Sequence, residues 1–150
     1  MFWGMIQPNG IVTIKEIFGN LNSDKYIHLL ESFAVPCMKL NAKANFNFVQ
    51  DNCSSHVSKK TKDYFKNQCF STLPFPPLSP DLNIMENVWK VMTDIIYSQN
   101  QPNNIDELRK RICEAHHLIN DEKIGTMLNL YSSYRSRLTK ILQNHGNLIN

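Results

Sequence analysis

The chain has 150 residues, the length of one domain of ordinary size and too short for two full domains. Apolar residues make up 42% of it and charged residues 19%, a balance that excludes an intrinsically disordered chain. The net charge of +3 allows a nucleic-acid partner without requiring one. No apolar run approaches the ~18 residues of a membrane span, and the first residues lack the features of a signal peptide. We therefore expect one soluble, intracellular domain over 1–150, with no membrane partner.

The first 36 residues predict a β-hairpin followed by a helix. The runs at 1–6 and 10–18 are rich in β-branched and aromatic residues, and Pro-Asn-Gly at 8–10 is a turn signal between them. Asn22, or the serine after it, is expected to cap a helix whose apolar residues repeat at helical spacing. Pro36 is expected to end this helix.

The middle of the chain predicts two short strands around one helix. A polar connection over 39–45 leads into a strand over 46–50, and a helix capped by serine follows over 58–67. The second strand covers 69–73. The proline-rich segment at 74–80 is predicted to be a loop, because its prolines lack backbone donors.

The last third of the chain is predicted to be helical. One helix covers 82–97, a second 105–118 and a third 122–144, with a stop signal at 145–146. The predicted order of elements is β-β-α-β-α-β-α-α-α, which is an α/β plan with a helical C-terminal tail.

A zinc site is not expected from the cysteines and histidines. The four cysteines stand at 37, 53, 69 and 113, and none forms a C-x-x-C pair. His116 and His117 are adjacent, so their side chains point to different faces of a regular element. Scattered thiols of this kind fit a reduced compartment.

Two carboxylates stand out by their positions. Asp51 lies at the carboxyl end of a predicted strand, where open α/β sheets place ligands and catalytic groups. Glu86 lies in the first turn of the helix after the proline-rich loop. An acidic residue there also has a purely structural explanation, because it stabilises the helix dipole and free amides.

The segments around these two carboxylates resemble the DDE transposases of the mariner superfamily. Residues 49–56 read V-Q-D-N-C-S-S-H and residues 79–89 read S-P-D-L-N-I-M-E-N-V-W, similar to the family's D-N-x-x-x-H and S-P-D-L-N-P-I-E-x-x-W. The W-G at 3–4 resembles the start of the family's second strand. The segment at 130–138 resembles its closing helix, so the resemblance extends over nearly the whole chain.

This resemblance implies a fold, a site and a reaction. The fold is expected to be ribonuclease-H-like, with a mixed sheet flanked by helices. Positions 52–85, 34 residues, separate Asp51 from Glu86, which is the spacing of the branch whose third carboxylate is Glu. The family role of these two residues is catalytic and metal-binding, with Mg²⁺ or Mn²⁺ as cofactor. The implied partner is DNA at transposon ends, and the implied compartment is the nucleus.

The chain also departs from the family pattern. Ser54 and Ile84 stand where members usually carry proline, and neither change removes a ligand. The family's first catalytic Asp lies on a strand before W-G, so we expect a domain that lacks its first strand. We therefore expect a catalytic-domain fragment that is inactive as it stands and binds metal weakly. The alternative is a non-catalytic remnant that binds nucleic acid or protein.

Other candidate residues have two explanations each. Asn52 and His56 are candidates for supporting the metal ligands or contacting DNA, but His56 could also simply pack in a loop. Asn83 fits DNA contact or, preferably, helix capping. Trp89 is expected in the core and Asp81 in the turn before the helix. Basic residues could contact phosphates or form a solvated helix face: Lys59, Lys60, Lys62, Lys66, Arg135, Arg137 and Lys140.

The missing first strand has a consequence for association. Unpaired backbone groups at a sheet edge promote pairing with another chain. The exposed edge should belong to the hairpin at 1–18 or to the strand at 46–50. We therefore expect reduced stability and self-association through this edge.

Overall fold

The computed structural model describes residues 1–40, 47–68, 70–77 and 79–143. The chain divides into two compact units. The first unit consists of Met1–Phe2 and Glu16–Ser79, and the second of Trp3–Lys15 and Pro80–Asn150. Each unit is built around its own buried apolar residues.

The predicted hairpin is confirmed. Strand β1 (Phe2–Ile6) pairs with β2 (Val12–Glu16) as a two-stranded sheet. The turn between them is closed by the N–H of Gly10, which donates to the carbonyl of Gln7 at 2.9 Å. Gly10 has a φ of 83°, a conformation that side-chain-bearing residues rarely adopt. The Asn-Gly signal therefore marks a real turn.

The helix predicted to end at Pro36 continues to Leu40, so that prediction is wrong. It has three consecutive segments: α1 (Ser23–Leu29), a π-helical turn (Leu30–Ala34) and α2 (Val35–Leu40). The N–H of Val35 donates to the carbonyl of Leu30, five residues back. In a regular α-helix the proline ring collides with the carbonyl four residues back. The wider π turn relieves that collision, which allows Pro36 to lie inside the helix.

The two predicted strands of the middle region are present but short. Strand β3 (Phe48–Val49) pairs in parallel with β4 (Thr72–Leu73), with Phe48 opposite Thr72. The predictions at 46–50 and 69–73 were longer, and their residues 46 and 69 lie outside the described part of the chain, as does most of the polar connection at 39–45.

Two helices lie between these strands. Helix α4 (Lys59–Lys66) begins as predicted, because the Ser58 side chain accepts from the N–H of Thr61 at 3.1 Å. The one-turn helix α3 (Ser54–Val57) lies between the predicted strand and the predicted helix, where the sequence indicated no regular element. The buried hydroxyl of Thr61 donates to the carbonyl of Ser55 at 2.7 Å and ties α3 to α4.

The second unit contains the long helices. After a 3₁₀ turn, the helices follow in this order: α5 (Ile84–Ile96), α6 (Ile105–Asp121), α7 (Ile124–Ser132) and α8 (Tyr134–Gln143). The prediction of a single helix over 122–144 is wrong, because the helix is interrupted at Ser133. The hydroxyl of Ser133 donates to the carbonyl of Leu130 at 2.7 Å. The stop signal predicted at 145–146 lies outside the described residues.

The hairpin packs closely on α5 within the second unit. A Cβ placed on Gly4 would come within 2.7 Å of the Trp89 ring, so only glycine allows this approach. At the edge of β2, the side-chain amide of Asn120 accepts from the N–H of Val12 at 2.8 Å and donates to its carbonyl at 2.9 Å. The side chain of Asn120 thus satisfies both backbone groups of one residue at the sheet edge, as a neighbouring strand would.

None of the helices within 1–40, 47–68, 70–77 and 79–143 combines the length and apolar character needed to cross a lipid bilayer.

Candidate active site

Asp51 follows strand β3 by two positions, at the carboxyl end where the sequence predicted a functional group. Its Oδ1 atom accepts from the backbone N–H of Cys53 at 3.0 Å and lies 2.7 Å from Nδ1 of His56. Within the described residues, Oδ2 of Asp51 takes part in no hydrogen bond. The carboxylate is therefore oriented through one oxygen, and the other remains available to a ligand.

The charge of Asp51 is stabilised by its neighbours. The hydrogen bond with His56 lowers the pKa of this carboxyl, partial burial raises it, and the Cys53 amide and the charge of His56 lower it further. The net effect is a pKa below the usual range, so Asp51 is ionised at neutral pH. Its side chain is 48% exposed. Asp51 thus presents a negative oxygen to solvent.

His56 lies on α3 rather than in the predicted loop, and its side chain is only 13% exposed. A carboxylate oxygen only accepts hydrogen bonds, so Nδ1 must carry the hydrogen shared with Asp51. The Nε2 atom is buried and has no hydrogen-bond partner among the described residues. The ring stacks on Tyr26 with centroids 4.0 Å apart.

Sequence reasoning missed two residues of this cluster. Tyr26 lies in α1, where helical spacing indicates only a place on the apolar face, yet its hydroxyl donates to the side chain of Gln50. Gln50 in turn donates to the backbone carbonyl of His56 at 3.1 Å. The available signal was the position of Gln50, a polar residue between an apolar strand and Asp51.

Asn52 connects the strand end to the proline-rich loop. Its side-chain amide donates to the carbonyl of Phe75 at 2.9 Å, and Asn52 remains exposed. This contact gives Asn52 a structural role in holding the loop of the first unit.

Glu86 lies in the first turn of α5, as predicted. Its side chain is exposed, and its one contact in the described chain is a long hydrogen bond of 3.5 Å from Asn83. Asn83 caps the helix, because its side chain accepts from the N–H of Met85 at 3.2 Å. The preferred explanation of Asn83 as a cap is confirmed. Glu86 is a solvent-facing carboxylate at a helix N-terminus.

The predicted phosphate contacts differ in their surroundings. Lys60 forms an ion pair with Asp24, whereas Lys59 is exposed with no ion-pair partner in the described chain. Arg135 is exposed on α8. Arg137 donates to Asn87 at 2.9 Å and to the Ser133 hydroxyl at 3.0 Å, which gives it a structural role between α8 and α5.

The structure brings together some of the predicted residues. Asp51 and His56 are in direct contact in the first unit, and Asn83 contacts Glu86 in the second. No cluster of three or more His, Cys, Asp or Glu side chains suited to a metal ion occurs in the part of the chain that the structure describes.

Comparisons with known proteins identify the fold and the family. The Mos1 transposase catalytic domain, solved with raltegravir and Mg, superposes with a TM-score of 0.72 at 15% identity, over 93% of this chain and 70% of that one. The fold is therefore that of a ribonuclease-H-like domain with a helical C-terminal region, as predicted. The family described as DDE superfamily endonuclease matches residues 1–109.

Two sequence relatives refine this assignment. The Tc3 transposase of Caenorhabditis elegans is 32% identical over 151 residues, covering 100% of this chain and 45% of the relative. The Tcb1 transposase of Caenorhabditis briggsae is 30% identical over 90 residues, covering 60% of this chain and 33% of the relative. The chain belongs to the DDE endonuclease superfamily and is similar to mariner-type transposases, as the sequence motifs predicted. It spans less than half the length of these curated relatives.

Proposed function

We propose that this chain forms part of a transposase catalytic domain in which Asp51 and Glu86 supply carboxylate ligands for Mg²⁺ or Mn²⁺. The reaction is cleavage and strand transfer of transposon DNA. The observation that carries the proposal is the Asp51 carboxylate, which is held by His56 and Cys53 through Oδ1 and leaves Oδ2 available.

The chemistry of the two side chains fits a hard cation. Mg²⁺ prefers oxygen ligands and is often bound through one or two carboxylates. The lowered pKa of Asp51 keeps it ionised, and Glu86 is exposed on the first turn of α5. When bound, the metal supplies charge neutralisation for in-line phosphoryl transfer. His56 orients Asp51 through its hydrogen bond, and neither His56 nor the helix cap Asn83 needs to touch the metal.

We expect the 150 residues alone to have little activity. The family's chemistry uses three carboxylates, and the resemblance assigns two of them to Asp51 and Glu86. A missing anionic ligand worth about 3–5 kcal/mol of transition-state stabilisation lowers the rate by roughly 10²–10⁴-fold. DNA at transposon ends is the proposed substrate, and the nucleus is the proposed compartment.

A Mn²⁺ titration followed by NMR tests the metal site. Paramagnetic broadening should begin at residues around Asp51 and Glu86. The Asp51→Asn variant should lose the broadening around position 51, whereas the control Asp94→Asn, an exposed acid on the same helix as Glu86, should retain it. Broadening centred elsewhere, or unchanged in Asp51→Asn, would contradict the proposal.

The second candidate function is DNA binding without catalysis, favoured by the basic face of α4. Four lysines of this helix are exposed: Lys59, Lys60, Lys62 and Lys66. Phosphate contacts by such lysines give salt-dependent, sequence-independent affinity. Duplex binding that persists without divalent metal and falls in Lys59→Gln/Lys62→Gln would support this candidate, and binding unaffected by the pair would contradict it.

Association between copies through a sheet edge is a separate proposal. Asn120 pairs the backbone of Val12 at the hairpin edge, so the strand at 48–49 is the better candidate edge. Light scattering over a concentration series tests it, and a monomer at every concentration would contradict it.

A further inference from the structure

The buried phenol of Tyr26 contacts residues on both sides of Asp51. Tyr26 is 1% exposed, and its hydroxyl donates to Oε1 of Gln50, the residue directly before Asp51. Its ring stacks on His56, with 28° between the ring planes, and His56 contacts the Asp51 carboxylate. Tyr26 therefore contacts both the end of the strand that precedes Asp51 and His56, the hydrogen-bond partner of Asp51.

Gln50 connects these contacts into one network. Its Oε1 accepts from the Tyr26 hydroxyl, and its Nε2 donates to the backbone carbonyl of His56 at 3.1 Å. A carbonyl only accepts and the amide oxygen cannot donate, so these two partners fix the orientation of the amide. Burial first, and then the negative charge of Asp51, raise the pKa of Tyr26 above its usual value, so the phenol stays a neutral donor.

The network determines how Asp51 is presented. Stacking on Tyr26 restricts the plane of the His56 ring, and the bond from Gln50 fixes the backbone of α3 at the same residue. The Nδ1 atom is thereby held 2.7 Å from Oδ1 of Asp51. Because Oδ1 is occupied by this bond, Oδ2 is the oxygen left for a ligand.

We propose that Tyr26 is a positioning residue of the active site, which acts through Gln50 and His56 to hold the Asp51 carboxylate with one oxygen available to a metal. The proposal rests on the proposed role of Asp51 as a metal ligand. Partners of this kind that orient ligands usually matter for metal affinity, and their substitution costs roughly 10–100-fold.

The test compares Tyr26→Phe with Tyr64→Phe in the full 150-residue chain. Tyr26→Phe keeps the stacked ring and removes the hydroxyl. Tyr64→Phe removes a hydroxyl that makes no hydrogen bond in the described chain. All variants are compared at the same alkaline pH. The ¹⁵N chemical shifts of the His56 ring should show that Nδ1 carries the hydrogen in the wild type and in Tyr64→Phe. In Tyr26→Phe these shifts should move towards the Nε2–H form, and Mn²⁺ affinity should fall about tenfold.

A second substitution separates positioning from a general loss of structure. Gln50→Met keeps the length of the side chain and removes the amide, so it should reproduce both effects of Tyr26→Phe. The double variant should be no worse than either single one, because both substitutions interrupt the same connection. Unchanged His56 shifts and Mn²⁺ affinity in Tyr26→Phe, or additive losses in the double variant, would overturn the proposal.

The two readouts distinguish this inference from the proposed function. If the wild-type chain shows no Mn²⁺ broadening near Asp51, the metal-ligand proposal fails, and with it the metal part of the role of Tyr26. The ¹⁵N shifts of His56 involve no metal and still decide whether Tyr26 orients the histidine.

Discussion

In the first unit the carboxylate of Asp51 is oriented by hydrogen bonds, whereas in the second unit Glu86 takes its position from a helix. Asp51 shares its Oδ1 atom with His56 and the Cys53 amide. Glu86 makes one long contact with Asn83, and its place is set by α5, which packs against α6 and α7. In the first unit, hydrogen bonds thus orient a single side chain, whereas in the second unit, packing positions a whole helix.

This difference implies different sensitivities to substitution. Hydrogen bonds around Asp51 depend on individual polar groups, so conservative changes there should alter the site while the fold persists. The position of Glu86 depends on apolar packing, so changes that matter should also cost stability. Substitutions in the two units should therefore differ in the size and the kind of their effects.

The largest effect is expected from truncating one buried leucine in each unit. Leu30 is fully buried in the first unit and Leu82 nearly so in the second. Leu→Ala at such sites leaves a cavity and costs about 2–5 kcal/mol. If 1–150 is a single domain, each variant should lower one common melting transition in calorimetry. Two separate transitions, each lowered by only one of the variants, would contradict a single domain.

The next effect is expected at the close approach of the hairpin to α5. Gly4→Ala places a Cβ 2.7 Å from the nearest atom of the Trp89 ring and should destabilise the chain by about 1–3 kcal/mol in chemical denaturation. Gly125→Ala is the control, because a Cβ there meets nothing within 4 Å. The NMR signals of His56 in the first unit should keep their positions. Equal stability of Gly4→Ala and wild type would show that the packing at Trp89 adjusts freely.

A smaller effect is expected from removing one helix cap in each unit. Ser58→Ala removes the acceptor for the Thr61 amide, and Asn83→Ala removes the acceptor for the Met85 amide. Each should cost about 1 kcal/mol of unfolding free energy. Only Asn83→Ala should also increase hydrogen exchange in the first turn of α5, where Glu86 lies. Faster exchange there in both variants would contradict the view that the positions of Asp51 and Glu86 are set independently.

The smallest effect concerns the pH dependence of stability. The pKa of Asp51 is lower in the folded chain than its ordinary value, because its hydrogen bonds favour the charged form. The resulting stabilisation is present above the ordinary pKa and is lost as the pH falls through the folded-state pKa. The difference in unfolding free energy between wild type and Asp51→Asn should therefore shrink on acidification. A difference in unfolding free energy that grows at acid pH would contradict this prediction.

Much of the candidate site could be predicted from the sequence alone. The motifs around Asp51 and Glu86 identify the family, and Asn83 is readable as a cap because short polar side chains satisfy free amides at a helix start. The turn at Gly10 is similarly local, since it requires positive φ. Such features depend on a few adjacent residues, and sequence spacing reports them well.

Only the tertiary structure decided the parts that join distant residues. Pro36 lies inside a helix because a π turn precedes it, and α3 forms where the sequence favours a loop. Arg137 contacts Asn87, 50 positions away, which ties α8 to α5. Tyr26 and Gln50 lie 24 positions apart and meet beside Asp51 through a hydrogen bond. Periodicity assigns a side chain to a buried face, but the polar partner it finds there depends on how separate elements pack.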